Sequence, residues 1–253
     1  MWYFKLFTVL TIMVLFASRP VLAETAWVSF KAGDDTVRAL IARPAGKGPH
    51  AAVIYNHGTI VRTEGYDDAS ERGYDTSSYV QALADAGFIG LAPIRGHLVT
   101  ANYATAISGG VETVKGAIKF LAGRADVDGS RIGAIGFSEG GLVTLWSAIE
   151  GAKLRAVVLM SPASMRGAGD KQLKTAARKH HLRRLTMPIF LTVGDDDYRS
   201  IRRVTARRLI PNMEDLGKTF TYKTDYPGDH KWFWDVQPDH FSDVKAFLAK
   251  HLK

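Results

Sequence analysis

The chain has 253 residues, of which 46% are hydrophobic and 23% charged, and its formal net charge is +8. This size and balance suit one α/β domain with a continuous core. The chain has no cysteine, which excludes disulfides, thiol catalysis and thiolate metal sites.

The basic residues are densest between Arg178 and Arg208. Aromatic residues are not interleaved with them as in a nucleic-acid module, so we expect no nucleic-acid partner. Two interpretations stay open for this patch: a solvated basic face, or a surface that attracts anions.

The N-terminus has the pattern of a secretory signal. Met1–Lys5 carries positive charge, Leu6–Ala17 is an apolar run, and the sequence before Glu24 ends in Val-Leu-Ala. A membrane anchor is the alternative, but the run is shorter than the ~20 residues that span a bilayer. We therefore predict a signal peptide over Met1–Ala23, cleaved after Ala23, and a secreted or periplasmic domain over residues 24–253 without a stable membrane anchor.

The first strands are predicted as an edge hairpin. Trp27–Lys31 and Val37–Arg43 alternate apolar and polar residues around the turn at Gly33-Asp34-Asp35. Ala51–Tyr55 is fully apolar, as a central parallel strand requires. Arg62–Ser78 is polar and predicts a long loop, with a lid as the alternative.

Strand and helix patterns then alternate to the C-terminus. Further strands are predicted at Phe88–Pro93, Ala156–Met160, Ile189–Val193 and Phe220–Tyr226, and one more in the apolar run that ends just before Ser138. Helices are predicted at Ser77–Ala86, Val111–Leu121, Gly141–Ile149, Lys171–Leu185, Ile201–Leu216 and Phe241–Leu252. Such alternation predicts a parallel sheet wrapped on both faces, with its active site at the carboxyl ends of the strands.

Ser138 is the candidate nucleophile. It lies in Gly136-Phe-Ser-Glu-Gly140, between an apolar strand and a helical pattern. Glycines two residues before and after a serine allow the tight turn that holds its hydroxyl above the sheet.

A serine hydroxyl needs a base, and the base needs a carboxylate. The strand after Pro188 runs into Asp195-Asp196-Asp197, of which Asp197 is the favoured acid; Asp195 could cap the turn and Asp196 could be solvated. His230 follows the last strand and is the favoured base. His240 is the competitor, and we interpret it as a surface residue near the start of the last helix.

The oxyanion of an acyl-transfer intermediate needs backbone donors. The amides of Thr59, after an early strand, and Glu139, after the nucleophile, fit this role. His57 is interpreted as a buried structural residue. Trp232–Trp234 predicts either a substrate pocket or core packing.

The motifs resemble the α/β-hydrolase fold, and within it the dienelactone hydrolase-like and prolyl-oligopeptidase-like serine hydrolases. The matching segments are Ala42–Gly58, Leu83–Phe88, Val127–Gly133, Gly136–Gly141, Pro188–Asp197 and His230. The resemblance implies a mostly parallel eight-stranded sheet with helices on both faces and a Ser138–Asp197–His230 triad. It also implies ester hydrolysis through an acyl-enzyme, with no cofactor and no metal. Dienelactone hydrolases differ in having a cysteine nucleophile and a substrate-binding arginine near the histidine, so dienelactone is not the expected substrate.

A secreted or periplasmic serine esterase acting on a small-molecule ester is the predicted function. A peptidase or amidase of the prolyl-oligopeptidase-like branch is the second hypothesis, because the same site can cleave amides. A non-catalytic binding protein with a hydrolase fold is the third. The oligomeric state has no signature in the sequence.

Overall fold

Eight strands form one mixed sheet in the computed structural model, which describes residues 25–98, 100 and 102–252. The strands are β1 (Ala26–Ala32), β2 (Asp35–Ala42), β3 (His50–Asn56), β4 (Ile89–Pro93), β5 (Val127–Phe137), β6 (Val157–Met160), β7 (Ile189–Gly194) and β8 (Phe220–Tyr226). Their spatial order is β1-β2-β4-β3-β5-β6-β7-β8. β2 is antiparallel to both of its neighbours, β1 and β4, and all other neighbouring strands pair in parallel, which confirms the predicted sheet and its edge hairpin. The predicted signal peptide, Met1–Ala23, lies outside the described residues.

Helices connect the strands and cover both faces. They are α1 (Thr59–Thr63), α2 (Tyr66–Glu71), α3 (Thr76–Asp85), α4 (Tyr103–Ala122), α5 (Glu139–Ile149), α6 (Leu173–Ala176), α7 (Lys179–Leu182), α8 (Arg199–Val204), α9 (Ile210–Asp215) and α10 (Pro238–Leu252). A π-helical turn, Thr205–Leu209, joins α8 to α9. Within the described ranges, no helix has the length and apolar character to cross a bilayer.

The central strands are buried on both faces. In β3, Ile54 belongs to the core under α4 and α5, whereas the next residue, Tyr55, belongs to the core under α3 and α10. Successive strand residues point to opposite faces, so a strand covered on both sides must be apolar at every position. This explains the continuous apolar runs of the sequence.

The helix predicted at Val111–Leu121 begins earlier, at Tyr103. The Asn102 side chain accepts hydrogen bonds from the amides of Ala104 and Thr105 and so caps its N-terminus. Glycines in the first half weaken the apolar period there, but they are required by packing: a Cβ on Gly110 would lie 2.7 Å from the Val143 side chain.

The single helix predicted at Lys171–Leu185 is wrong. The chain forms two one-turn helices instead, and Arg178 between them is extended, with φ −72° and ψ 141°. Leu173 and Leu182 are both fully buried. In one continuous helix, residues nine apart lie on roughly opposite faces, so the break is what allows both leucines to reach the core.

The long loop predicted at Arg62–Ser78 is also wrong, because the segment contains α2 and the end of α1. Arg62, Ala69 and Tyr74 are fully buried or nearly so. The segment is therefore anchored to the domain beside the carboxyl end of β3, where the predicted Thr59 donor lies.

Candidate active site

Ser138 forms a sharp turn between β5 and α5. Its φ is 54° and its ψ is −118°, a conformation that non-glycine residues rarely adopt and that is typical of strained functional positions. A Cβ on Gly136 would lie 2.2 Å from the Gly140 carbonyl oxygen, and one on Gly140 would lie 1.9 Å from that of Asn56. Both flanking glycines are therefore sterically required.

Three predicted residues meet at the carboxyl edge of the sheet. His230 Nε2 lies 2.8 Å from Ser138 Oγ, and His230 Nδ1 lies 3.0 Å from Asp197 Oδ1. Ser138 and His230 are each 9% exposed, whereas Asp197 is 3% exposed. Ser138 and His230 thus keep a small accessible surface, while Asp197 is almost completely shielded.

Asp197 is held by two further donors. The Tyr198 amide donates to Oδ1 at 2.6 Å, and the Ser161 hydroxyl donates to Oδ2. Sequence reasoning missed Ser161. A signal did exist: it directly follows β6, the strand between those that carry Ser138 and Asp197.

The other two candidate acids do not contact His230. Asp195 Oδ1 accepts a hydrogen bond from the Gly228 amide at 3.1 Å, so it binds the loop after β8 and not the turn that follows Asp195, for which a capping role was considered. Asp196 is exposed.

The interpretation of His240 as a surface residue is wrong. Because α10 begins at Pro238, His240 falls in its first turn and is fully buried. Its Nε2 lies 3.2 Å from Thr192 Oγ1, and its ring packs edge-on against Tyr226 and Phe233. Burial lowers the pKa of His240 to about 4.

Thr59 and Glu139 are the first residues of α1 and α5. Amides at this position have no partner within their own helix, so both remain available to a ligand. The side chains also meet: the Thr59 hydroxyl donates to Glu139 Oε2 at 3.2 Å.

The Glu139 carboxylate is fully buried and bound by two arginines that sequence reasoning missed. Arg62 donates to it through Nε at 2.8 Å and Nη2 at 2.9 Å, and Arg95 donates through Nη2 at 3.2 Å. Burial alone would raise the pKa of Glu139, but the Arg62 hydrogen bonds and the Arg95 charge hold it below its usual value. Burial acts to lower the pKa of Arg95, and Glu139 opposes that effect.

Arg95 also fixes the loop before Thr59. Its amide donates to His57 Nε2 at 3.0 Å, and its Nη2 donates to the His57 carbonyl at 2.6 Å. His57 is fully buried, in agreement with its interpretation as a structural histidine.

Tyr74 supports the same loop from the other side and was also missed. Its hydroxyl accepts a hydrogen bond from the Gly58 amide at 3.0 Å and lies 2.8 Å from the Tyr55 hydroxyl. Burial raises the pKa of Tyr74 to about 12, so the phenol stays protonated. Its ring stacks on Trp234 with 5.6 Å between centroids, which places part of the Trp232–Trp234 cluster in packing around the site.

Comparison with known proteins identifies the family and the fold of this chain. The dienelactone hydrolase family matches residues 38–249, whereas no curated protein matches the chain. A dienelactone hydrolase-like promiscuous phosphotriesterase from metagenomic libraries has a TM-score of 0.67 at 17% identity, covering 92% of this chain and 100% of that one. A mutant of esterase rPPE has a TM-score of 0.72 at 15% identity, with 93% and 85% covered.

The chain spans 42% of the acylaminoacyl peptidase of Pyrococcus horikoshii, which has a TM-score of 0.70 at 17% identity over 92% of this chain. At such identities the structural likeness establishes the α/β-hydrolase fold alone. The match to the dienelactone hydrolase family extends over most of the sequence and identifies the enzyme class. The chain therefore belongs to the dienelactone hydrolase family of hydrolases.

Proposed function

We propose that this hydrolase is an exported serine esterase that uses Ser138 as nucleophile, His230 as general base and Asp197 as the orienting acid. The observation that supports the proposal best is the continuous contact from Ser138 Oγ through the imidazole to Asp197. Nucleophile, base and orienter within hydrogen-bond reach are the arrangement that activates a serine hydroxyl.

In the acylation step, Ser138 Oγ attacks the ester carbonyl while His230 Nε2 takes its proton. The carbonyl oxygen becomes an oxyanion, which the amides of Thr59 and Glu139 stabilise. His230 then gives the proton to the departing alkoxide, and the alcohol leaves an acyl group on Ser138. Water, activated by the same imidazole, breaks that bond and regenerates the hydroxyl.

Substrates of the ester class fit this site because an alkoxide leaves more readily than an amide nitrogen. Amide cleavage depends more strongly on positioning of the leaving group. A peptidase is the second candidate, since an acylaminoacyl peptidase shares the fold. A small-molecule ester is the proposed partner, and no cofactor is needed for the chemistry described.

Export is part of the proposal. It is supported by the charged, apolar and Val-Leu-Ala segments at the start of the chain. Mass spectrometry of protein recovered from its natural host should find Glu24 as the N-terminus; an intact Met1 would refute the cleavage.

A fluorophosphonate probe tests the nucleophile. It should label the wild type and not Ser138→Ala, and ester hydrolysis should fall by about 10³-fold or more. Labelling that survives the substitution would exclude Ser138.

A panel of p-nitrophenyl esters of rising acyl length, run beside peptide anilides, separates the candidate functions. The esterase hypothesis predicts turnover of the esters and little of the anilides. Preference for the peptide anilides would favour the peptidase. If the fluorophosphonate probe did not label the protein and neither substrate class were turned over, a non-catalytic protein would be favoured.

A further inference from the structure

The segment that connects β7 to β8 contains a stretch of ten residues with five arginines, at positions 199, 202, 203, 207 and 208. All five are exposed. None forms an ion pair or side-chain hydrogen bond with any residue of the described ranges. Of the twelve other described arginines, six pair with carboxylates: Arg43, Arg62, Arg72, Arg95, Arg124 and Arg131. The cluster therefore carries positive charge that the described part of the protein leaves uncompensated.

The cluster lines two neighbouring clefts. The first, of about 570 Å³, is lined by Arg199, Arg202, Arg203 and Arg207. The second, of about 580 Å³, is lined by Arg203, Arg207, Arg208 and Lys174. Arg203 and Arg207 belong to both and form a ridge between them. No described carboxylate lines either cleft, so each offers only cationic and neutral groups to an incoming molecule.

The π-helical turn gathers these side chains. In an α-helix, residues five apart point roughly 140° away from each other, whereas the wider π turn, with its i→i+5 hydrogen bonds, brings them closer to the same face. The turn at Thr205–Leu209 therefore rotates Arg207 and Arg208 toward the face of Arg202 and Arg203. Single π turns inside α-helices are frequent at functional sites.

Thr205 gives an independent indication that the first cleft accepts a ligand. Thr205 lines that cleft and is 1% exposed, yet its hydroxyl has no hydrogen-bond partner among the described residues. Buried hydroxyls are nearly always bonded, because an unpaired one is destabilising. An oxyanion in the cleft would accept its hydrogen bond.

We propose that the Arg199–Arg208 clefts bind a linear polyphosphate chain; no aromatic side chain among the described lining residues of either cleft offers a nucleobase a stacking surface. Guanidinium groups bind phosphate oxygens in pairs. A phosphate is tetrahedral, so its oxygens can serve arginines on both sides of the ridge, which a planar carboxylate does less well. The arginines extend roughly 13 Å along the helix axis, enough for successive groups of one chain.

A membrane surface fits the segment less well. Helices that lie on a bilayer insert an apolar face, whereas here Ile201, Leu209 and Ile210 are buried in the protein core. The guanidiniums also line concave clefts, which a narrow chain can enter and a flat bilayer cannot.

The clefts begin beside the candidate active site. Arg199 follows Tyr198, whose ring centroid lies 4.7 Å from that of His230. A bound polymer would therefore pass close to the mouth of the site. This proposal does not depend on the esterase assignment.

Binding of fluorescently labelled long-chain inorganic polyphosphate, measured by anisotropy at several salt concentrations, tests the inference. Arg203→Gln/Arg207→Gln should weaken binding by about tenfold or more and reduce the slope of log affinity against log salt by about 2. Arg155→Gln/Arg166→Gln removes the same charge from two other exposed arginines and should change the affinity less than about twofold. Thr205→Val should weaken binding several-fold without changing the salt slope, because it removes no charge.

Unchanged thermal unfolding and p-nitrophenyl acetate hydrolysis in these variants would show that the fold is intact. Four results would overturn the proposal: no binding at physiological salt, equal loss in both arginine pairs, equal affinity for polyglutamate, or binding to phosphatidylglycerol vesicles with none to polyphosphate.

Discussion

The Thr59 hydroxyl donates a hydrogen bond to the Glu139 carboxylate, so the side chains of the two proposed oxyanion-hole residues are bonded to each other. Arg62 lies on α1, the helix that Thr59 begins, and binds the same carboxylate. The separation between the two backbone amides thus depends on side chains whose polar atoms are engaged with one another.

Thr59→Val should lower kcat for ester hydrolysis about threefold to tenfold and leave KM nearly unchanged. Valine keeps the shape of threonine but removes the bond to Glu139, so the Thr59 amide is held less firmly where transition-state charge develops. Thr59→Ser keeps the hydroxyl and is the matched control. Steady-state kinetics would contradict this role if KM rose at constant kcat, or if the serine variant lost as much activity.

His230 and Asp197 should act as one unit. Once His230→Ala has removed the base, adding Asp197→Asn should lower kcat only slightly further, because the carboxylate works through the imidazole. Rates of all three variants on one activated ester give the comparison. The assignment would be abandoned if Asp197→Asn alone kept near-wild-type turnover while Asp195→Asn abolished it.

Ser161→Ala should lower kcat about tenfold and reduce the free energy of unfolding by about 1–3 kcal/mol, because the buried Asp197 carboxylate loses a donor. Ser147→Ala is a useful control, since the Ser147 hydroxyl is also buried and donates to the Val143 carbonyl at 2.8 Å. That variant should lose stability only. If kcat fell by a similar factor in both serine variants, Ser161 would have no specific role in supporting Asp197.

Most of the sheet was predictable because β3, β5 and β7 are buried on both faces and leave unbroken apolar runs in the sequence. Ser138 and Asp197 follow two of these strands, whereas His230 follows β8, which is exposed along most of its length. All three strands are parallel, so the convergence of the three residues at one edge followed from the topology. Helix ends were less predictable: the start of α4 depends on the Asn102 cap, and the break at Arg178 on the burial of two leucines.

The supporting residues of the site could not be predicted from local pattern. Arg62, Arg95 and Glu139 form one cluster from three distant segments, and only the tertiary fold shows that the two arginines share a carboxylate. Tyr74 lies in a polar stretch in which nothing marks its hydroxyl as a partner of the Gly58 amide.

His240 should make the protein sensitive to acid. Its pKa is lowered to about 4 by burial, so the folded protein keeps the imidazole neutral while the unfolded chain takes up a proton below its ordinary pKa of about 6.5. The free energy of unfolding is therefore unaffected by His240 titration above about pH 6.5. It decreases as the pH falls toward 4, by about 3 kcal/mol in total.

Urea unfolding between about pH 4.5 and 7.5 measures this effect. His240→Phe/Thr192→Val fills the site with apolar groups and should flatten the pH dependence relative to the wild type. Thr192→Val alone keeps the imidazole and should keep the slope. An unchanged slope in the double variant would mean that other groups cause the acid sensitivity.

The stack of Tyr74 on Trp234 joins two parts of the chain that are far apart in sequence: the loop before Thr59, which Tyr74 holds through the Gly58 amide, and the 3₁₀ turn that begins with His230. Neither part can move away while the aromatic contact persists. The loop before Thr59 and the turn that carries His230 should therefore open together as one cooperative unit in native-state hydrogen exchange, so that amides around residues 58 and 234 share a single opening free energy.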